Sequence, residues 1–436
     1  MAEQKIFKIG IAMAGAVSAG AYTGGVIDYL LETLEKWQKA KDKNHALDVD
    51  HPDYDKSVPM HDVQIDVVGG SSAGGMTAAI MALGLFEGIK PINEDNPKKS
   101  HNKLYDSWVN LNDHVGVPTL EQMLGTTDID RLGEVQSLLN SDPIDAIADR
   151  AMESEGIKPL PKYISPNLQV ILTITSLRGV PISVDFFDKQ KTVESRDGIT
   201  FEDKKEQPAH RMYVHKGIAR FMVNPTAELR SDHIVGFDPS SEYHRQLMMD
   251  CAKATGAFPL GLRARRLKNI HLKYIKDMVY QMFIGSKKDE EQVKNTIDIT
   301  ADDDPFDFVA VDGGTINNEP FGEVIRALEE NSEDEQYAII MIDPFPNFAN
   351  DKSRTYKKPS TLLDIIPALL GAIRSQAMVK DQDLLQGLSG NHTRRMIFPK
   401  RTDDPYPIAC GSLEGFGGFF SRDFRKADFE LGRHNC

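Results

Sequence analysis

Three cysteines in 436 residues, at positions 251, 410 and 436, are too few and too scattered for a disulfide framework, and none has metal-ligand spacing. That usage fits a reducing, cytoplasmic setting. No apolar run approaches the roughly 18 residues of a membrane span, and the start, Met1-Ala2-Glu3-Gln4-Lys5, lacks the basic-then-apolar order of a secretory leader. There is no G-K-[ST] of a P-loop, and the glycines at 15, 20, 24 and 25 miss the G-x-G-x-x-G spacing, which argues against nucleotide chemistry. Basic residues are outnumbered, 51 Lys and Arg against 65 Asp and Glu, and the net charge of -14 argues against a general nucleic-acid binder. Asp302, Asp303 and Asp304 are adjacent, not alternating as in a calcium loop. No metal and no cofactor are expected.

What is present is an ordinary globular composition, 40% hydrophobic and 27% charged, in a chain long enough for one large α/β domain with insertions or for two domains. Its most informative stretch is 63–75. Val63, Ile65, Val67 and Val68 read as a buried strand, and 76–83 reads as a helix. Between them stands Gly70-Ser71-Ser72-Ala73-Gly74, a G-x-S-x-G pattern. By composition alone such a pattern arises roughly 0.15 times in a chain of this length, so its weight comes from context. A strand before it, a helix after it and small residues around the serine suit a sharp turn that exposes a hydroxyl at a helix amino end. Ser72 is the candidate nucleophile.

Residues 6–13 read as a central strand, followed by the small-residue loop 14–20 and an amphipathic helix from Ala21 to about Lys41, with Val26, Ile27, Leu30, Leu31, Leu34 and Trp37 on one face. A glycine loop between strand and helix presents backbone N–H groups to an anion, here a developing oxyanion. The candidate donors are Gly15, Ala16 and Val17 in that loop, and Ala73 after the serine. A helical insertion is expected at about 100–160, with helix-like spacing at 105–111, 120–124, 132–139 and 144–151. Residues 168–175 and 182–187 read as two strands joined by a turn at 177–181, and 211–215 as a third. A helix at 243–251 leads into small residues ending in Phe258-Pro259, and a helix is expected at about 275–284. The strand 306–311 ends in Asp312-Gly313-Gly314, which places a carboxylate at a strand's carboxyl end, where α/β sheets keep their ligands. A strand at 337–342, a helix-prone stretch at 360–388 and an amphipathic segment at 422–433 complete the chain. The helical pattern at Cys436 carries no cap signal, from which the natural terminus is expected to lie further on. The basic run Arg263, Arg265, Arg266, Lys268, Lys273 and Lys276 suits a solvated face better than a lipid contact, and Phe416, Phe419 and Phe420 suit core docking better than an interfacial patch.

The glycine-rich loop after the first strand, G-x-S-x-G on an elbow, the small-residue segment 254–259 and Asp312-Gly313-Gly314 with Asn318 and Pro320 together resemble the patatin-like phospholipases, over roughly residues 6–345. The resemblance implies a three-layer α/β/α fold with a mostly parallel central sheet, a catalytic domain at 1–348 with its helical insertion, and a largely helical C-terminal extension at 349–436 packed on it. It also implies a Ser72–Asp312 catalytic dyad, an oxyanion hole in the loop 15–20 and structural roles for Gly20, Gly70, Gly74, Gly313 and Gly314. The family's first loop usually reads G-G-G-x-[RK]-G. Here Ala16 and Val17 replace two glycines and Ala19 the basic residue, a departure that bears on the size and charge of the pocket.

The implied activity is hydrolysis of lipid esters through an acyl-enzyme. The implied partner is a lipid at a membrane surface, met by a cytoplasmic, peripheral protein without a transmembrane segment and without nucleic acid. Gating by a ligand or by oligomer assembly is compatible with this. Two alternatives stand beside it. One is a Ser-Asp-His esterase, for which only His392 and His434 follow the aspartate in the chain. The other is a binding or regulatory protein that kept the fold and lost the reaction.

Overall fold

A computed structural model describes residues 6–88, 90–92, 102–154, 156–184, 210–223, 234–283, 296–331, 337–346, a few positions within 360–372, and 393–401, 407–411 and 415–436. The tail of the expected strand at 185–187, most of the helix-prone stretch 360–388 and His392 lie outside these residues. Among them, no helix is long and apolar enough to cross a membrane.

The described elements in chain order are β1 (Ile6–Met13), α1 (Gly20–His45), β2 (Asp62–Gly70), α2 (Ala73–Leu85), α3 (Asp142–Met152), β3 (Ile164–Val184), β4 (His210–Val223), β5 (Val235–Phe237), α4 (Glu242–Thr255), β6 (Arg265–Leu267), α5 (Leu272–Phe283), β7 (Phe308–Asp312), α6 (Phe321–Asn331), β8 (Tyr337–Ile342), β9 (Thr393–Ile397) and α7 (Arg422–Asn435). Shorter helical turns fill the insertion between α2 and α3. One mostly parallel sheet runs in the order β5-β4-β3-β2-β1-β8-β9, with β7 joining β3 and β6 joining β7. Parallel sheets need cover on both faces, and alternation along the strands supplies it. Ala12, Val67, Ile171 and Ile339 face α6, while Ile11, Met13, Val68 and Val170 face the layer that holds α1 and α2. α2 is buried on nearly every side, as its Ala-Gly-Met-Leu composition requires. The chain has the three-layer α/β architecture expected of it.

Two local readings are corrected. Residues 177–181 are not a turn between two strands. β3 runs unbroken for 21 residues, and its pairing with β4 shifts between Thr175 and Val180, so that five steps along β3 face two along β4. Gly179 takes φ +69° in this bulge, and Leu177-Arg178-Gly179 is a bend within one strand. The helix read at 132–139 lies earlier, at Thr127–Leu132. Gly133 ends it in the left-handed conformation, and the N–H groups of Leu138 and Leu139 then bond the carbonyls of Leu260 and Gly261. Apolar spacing cannot register a partner 122 residues away.

α7 crosses α1 at close range. A Cβ on Gly25 would drive into the Phe429 carbonyl, and one on Gly432 into the Tyr22 carbonyl, so each helix presents a glycine to the other. Arg433 of α7 pairs with the buried Asp28 and Glu32 of α1. Burial raises Asp28 above the usual carboxylate range, against the opposing pull of Arg433 and of Asn102.

Beyond β8, Asp343 is 6% exposed and accepts the Phe345 N–H at 2.9 Å. Burial raises its pKa above the ordinary 3.8. Ionising it therefore costs stability. The cost is absent below the unfolded value, grows as pH rises through the raised value and is complete above it. Asp343→Asn keeps the hydrogen bond and removes the charge. Its melting temperature is expected to exceed the wild type's by roughly 2–4 °C at about pH 8, with the gap closing toward about pH 4; a gap that does not change with pH would refute this account.

Candidate active site

β3 explains why two residues 240 positions apart meet. β2 runs parallel to it and ends with Gly70 beside Leu172. β7 runs antiparallel to it on the same edge and ends with Asp312 beside Ile174. The carboxyl ends of β2 and β7 thus face each other two residues apart along one strand, a gap of about 7 Å. The turn that leaves Gly70 must therefore meet Asp312.

That turn is the elbow. Ser72 is the N-cap of α2 at φ 50°, ψ -124°, a conformation that costs a non-glycine residue roughly 1–3 kcal/mol. The surroundings impose it. The Ser72 N–H donates to Thr255 Oγ1 at 2.9 Å, the Ser71 N–H to the Met13 carbonyl at 3.2 Å and the Gly74 N–H to the Ser71 carbonyl at 2.8 Å. The turn is so tight that a Cβ on Gly70 would strike Gly74 and one on Gly74 would strike Met13, which is the physical content of the G-x-S-x-G pattern.

The Ser72 hydroxyl donates to Asp312 Oδ2 at 2.7 Å, and both residues are buried. Asp312 is held at each end. Its backbone N–H donates to the Ala257 carbonyl at 2.9 Å, its carbonyl accepts from Thr175 Oγ1 at 2.9 Å, and its Oδ1 accepts the Gly314 N–H at 2.6 Å. Gly313 opens the short turn that brings that N–H back. Oδ2 is left pointing at the serine.

The loop after β1 closes the site. It is not loop throughout, since Val17–Ala19 form one 3-10 turn before Gly20 begins α1 against the Trp108 ring. Gly15 is not a free donor, because its N–H goes to the Asn318 carbonyl at 3.3 Å. Its contribution is proximity: a Cβ there would sit 3.0 Å from that of Ser72. Among the described residues the N–H groups of Ala16, Val17 and Ala73 carry no hydrogen bond. Val17, a β-branched residue, stands at φ 50°, a strained geometry of the kind that collects at functional sites. The start of α2 adds the positive end of its dipole beside Ala73.

Ser72, Ala73 and Val17 open on a cavity of about 60 Å³ lined by Met76, Trp108, Met123 and Phe258. Phe416 and Phe419 complete the lining from the far end of the chain, while Phe420 is exposed. Of the three phenylalanines read as core residues, Phe416 and Phe419 therefore form the roof of this cavity and Phe420 faces outward. Their strap is tied to the loop: Gly415 accepts from both the N–H and the hydroxyl of Ser18, and the Gly418 N–H donates to Ser18 Oγ at 2.9 Å.

The basic run divides. Arg263 and Arg265 turn inward to Asp145 of α3, whereas Arg266 stays exposed beside Asp307. Asp303 pairs with Arg178. His434 is exposed in the last turn of α7 and does not line the cavity.

Sequence reasoning missed Thr255 and the 415–419 strap. Thr255 lay inside the small-residue segment, but a hydroxyl on a helix gives no sign of whose N–H it accepts. The strap gave only its aromatic residues.

A serine held at positive φ between a parallel strand and a helix, with a carboxylate on its hydroxyl, places the molecule among α/β proteins built around an elbow serine. The chain belongs to the patatin-like phospholipase family, whose model matches residues 11–325. It is similar to the uncharacterized protein y4iI of Sinorhizobium fredii, 31% identical over 99% of this chain, and it spans 63% of that relative's length. A slight likeness to the crystal structure of VipD from Legionella pneumophila, at TM-score 0.27 and 12% identity, covers 97% of this chain and 67% of that one.

Proposed function

We propose that the protein is a serine hydrolase of lipid esters that works through a Ser72–Asp312 dyad. The observation that carries this reading is the 2.7 Å hydrogen bond from the strained Ser72 hydroxyl to a buried, doubly oriented carboxylate. The Ser72 proton passes to Asp312 Oδ2 as Oγ attacks the ester carbonyl carbon, and the carbonyl oxygen takes the displaced electron pair. The N–H groups of Ala16, Val17 and Ala73 are the donors available to that oxyanion, each worth about 2.7–4 kcal/mol of barrier in comparable sites. Collapse expels the alcohol, which takes the proton from Asp312 and leaves an acyl-serine. Water then attacks the acyl carbon, gives its proton to Asp312 and releases the fatty acid, and the proton returns to Ser72.

Direct contact between Ser72 and Asp312 favours the dyad over a triad, since no imidazole stands between them. The apolar cavity at the serine favours an acyl chain as the bound group. A fluorophosphonate probe tests the reading. It should label the wild type and not Ser72→Ala; an unlabelled wild type without ester turnover would leave only a binding role.

Thr255 acts through Ser72, as a positioning residue. Thr255→Val is expected to lower kcat about tenfold with KM little changed, and Thr255→Ser to restore most of it. If KM carries the whole loss, Thr255 shapes binding instead.

A further inference from the structure

A second chamber, of about 350 Å³, lies between β3, β4, α4 and α5. It is several times the volume of the cavity at Ser72 and, among the described residues, shares no lining residue with it. The two lie along different lengths of α4: Leu247 and Cys251 line this chamber, and Lys253 lines the other. Protein interiors pack to crystal density with few voids larger than a water molecule. A chamber of this size falls within the roughly 300–1,000 Å³ of ligand sites.

Its chemistry is that of an amphiphile site. The wall is apolar, with Phe221, Leu247, Ile275, Met278, Phe306 and Phe308. Exposed residues mark its mouth, namely Tyr243, Asn269, His271 and Lys273. In a chain of net charge -14, the described residues of this lining include two lysines and a histidine and no aspartate or glutamate. Acids do approach from outside the lining, Glu323 on Lys216 and Asp304 at 3.7 Å from His271. Lys273 lies at the mouth in the first turn of α5.

We infer that this chamber binds one long-chain fatty acid, its hydrocarbon body against the apolar wall and its carboxylate at the mouth beside Lys273 and His271. The volume suits a single chain, and the basic character of the described lining favours an anionic end over a cationic one. The site does not depend on the reaction proposed for Ser72, although a free fatty acid is the product of that reaction.

The test uses the full chain and a fluorescent polyene fatty acid below its micellar concentration. Saturable one-to-one binding is expected in the wild type and equally in Ser72→Ala, with displacement by oleate. Leu247→Trp, which fills the chamber, should weaken binding at least about tenfold, and Lys273→Glu roughly threefold to tenfold, with ester turnover marking both variants as folded. A diazirine-bearing fatty acid, photolysed on the wild type, gives a reading that needs no variant and should attach within 214–221 or 243–278. Absence of saturable binding, loss of binding when Ser72 carries a fluorophosphonate, displacement by phosphatidylcholine vesicles but not by oleate, or attachment confined to 107–147 would each overturn the inference. None of these outcomes bears on whether Ser72 hydrolyses esters, which labelling and turnover read by themselves.

Discussion

Ser72→Ala is expected to lower ester turnover by about 10⁴-fold or more, the scale seen when a hydrolase loses its nucleophile. Asp312→Asn should cost nearly as much, because an amide can hold the hydroxyl in place but cannot take its proton. Two kinetic signs separate these variants from mere misfolding. The loss should fall on kcat with KM little changed, and Asp312→Asn should label with a fluorophosphonate far more slowly than the wild type, where Ser72→Ala does not label at all. A third substitution reads the backbone. Ser72→Gly removes the nucleophile and also relieves the positive φ, so it should be more stable than Ser72→Ala by roughly 1 kcal/mol. Equal stability of the two would mean that the elbow stores no strain. Retained turnover in Ser72→Ala would remove Ser72 from the reaction altogether.

Arg425→Ala should produce the largest loss of stability. Its side chain is 1% exposed, and it donates to the Val109 carbonyl at 2.8 Å and the Gly418 carbonyl at 2.7 Å while pairing with Asp113. Burial draws its pKa below the usual guanidinium value, with Asp113 opposing. Asp113 is itself partly buried, yet Thr119 and Arg425 hold it below the ordinary carboxylate range. Truncating the arginine strands two carbonyls and a carboxylate, for a cost of about 3–5 kcal/mol. Turnover should fall as well, because Gly418 belongs to the strap that roofs the cavity and ties down Ser18. Arg425→Lys should recover part of the stability, since an ammonium cannot span three acceptors in fork geometry. A urea midpoint for Arg425→Ala within error of the wild type would contradict this assignment.

The parts of the molecule that were legible in the sequence are those whose cause is local. β1 and β2 announced themselves by apolar runs that stop at glycines, α1 and α7 by period, and the elbow by small residues that only a tight turn demands. That a serine and an aspartate 240 residues apart would lie together could be expected from two strand ends. The register that brings them to 2.7 Å belongs to β3, where pairing with three neighbours overrides the turn chemistry of Leu177-Arg178-Gly179. Hidden from the sequence were the features that depend on a distant partner. Leu138 and Leu139 lie beyond the helix with their N–H groups bonded to the carbonyls of 260 and 261, and Gly15 spends its N–H on Asn318. Thr255 and the 415–419 strap carry side chains and carbonyls that many other sites could have used.

The strap also sets an order of events. Ser18 bonds residues 397 and 400 positions away, so the loop that faces Ser72 is complete only when nearly the whole described chain has been made. At synthesis rates of about 5–20 residues per second, the elbow and Asp312 are made several seconds before Gly415 and Gly418 arrive. A growing chain therefore holds the serine and the carboxylate of its site before Phe416 and Phe419 arrive to roof the pocket.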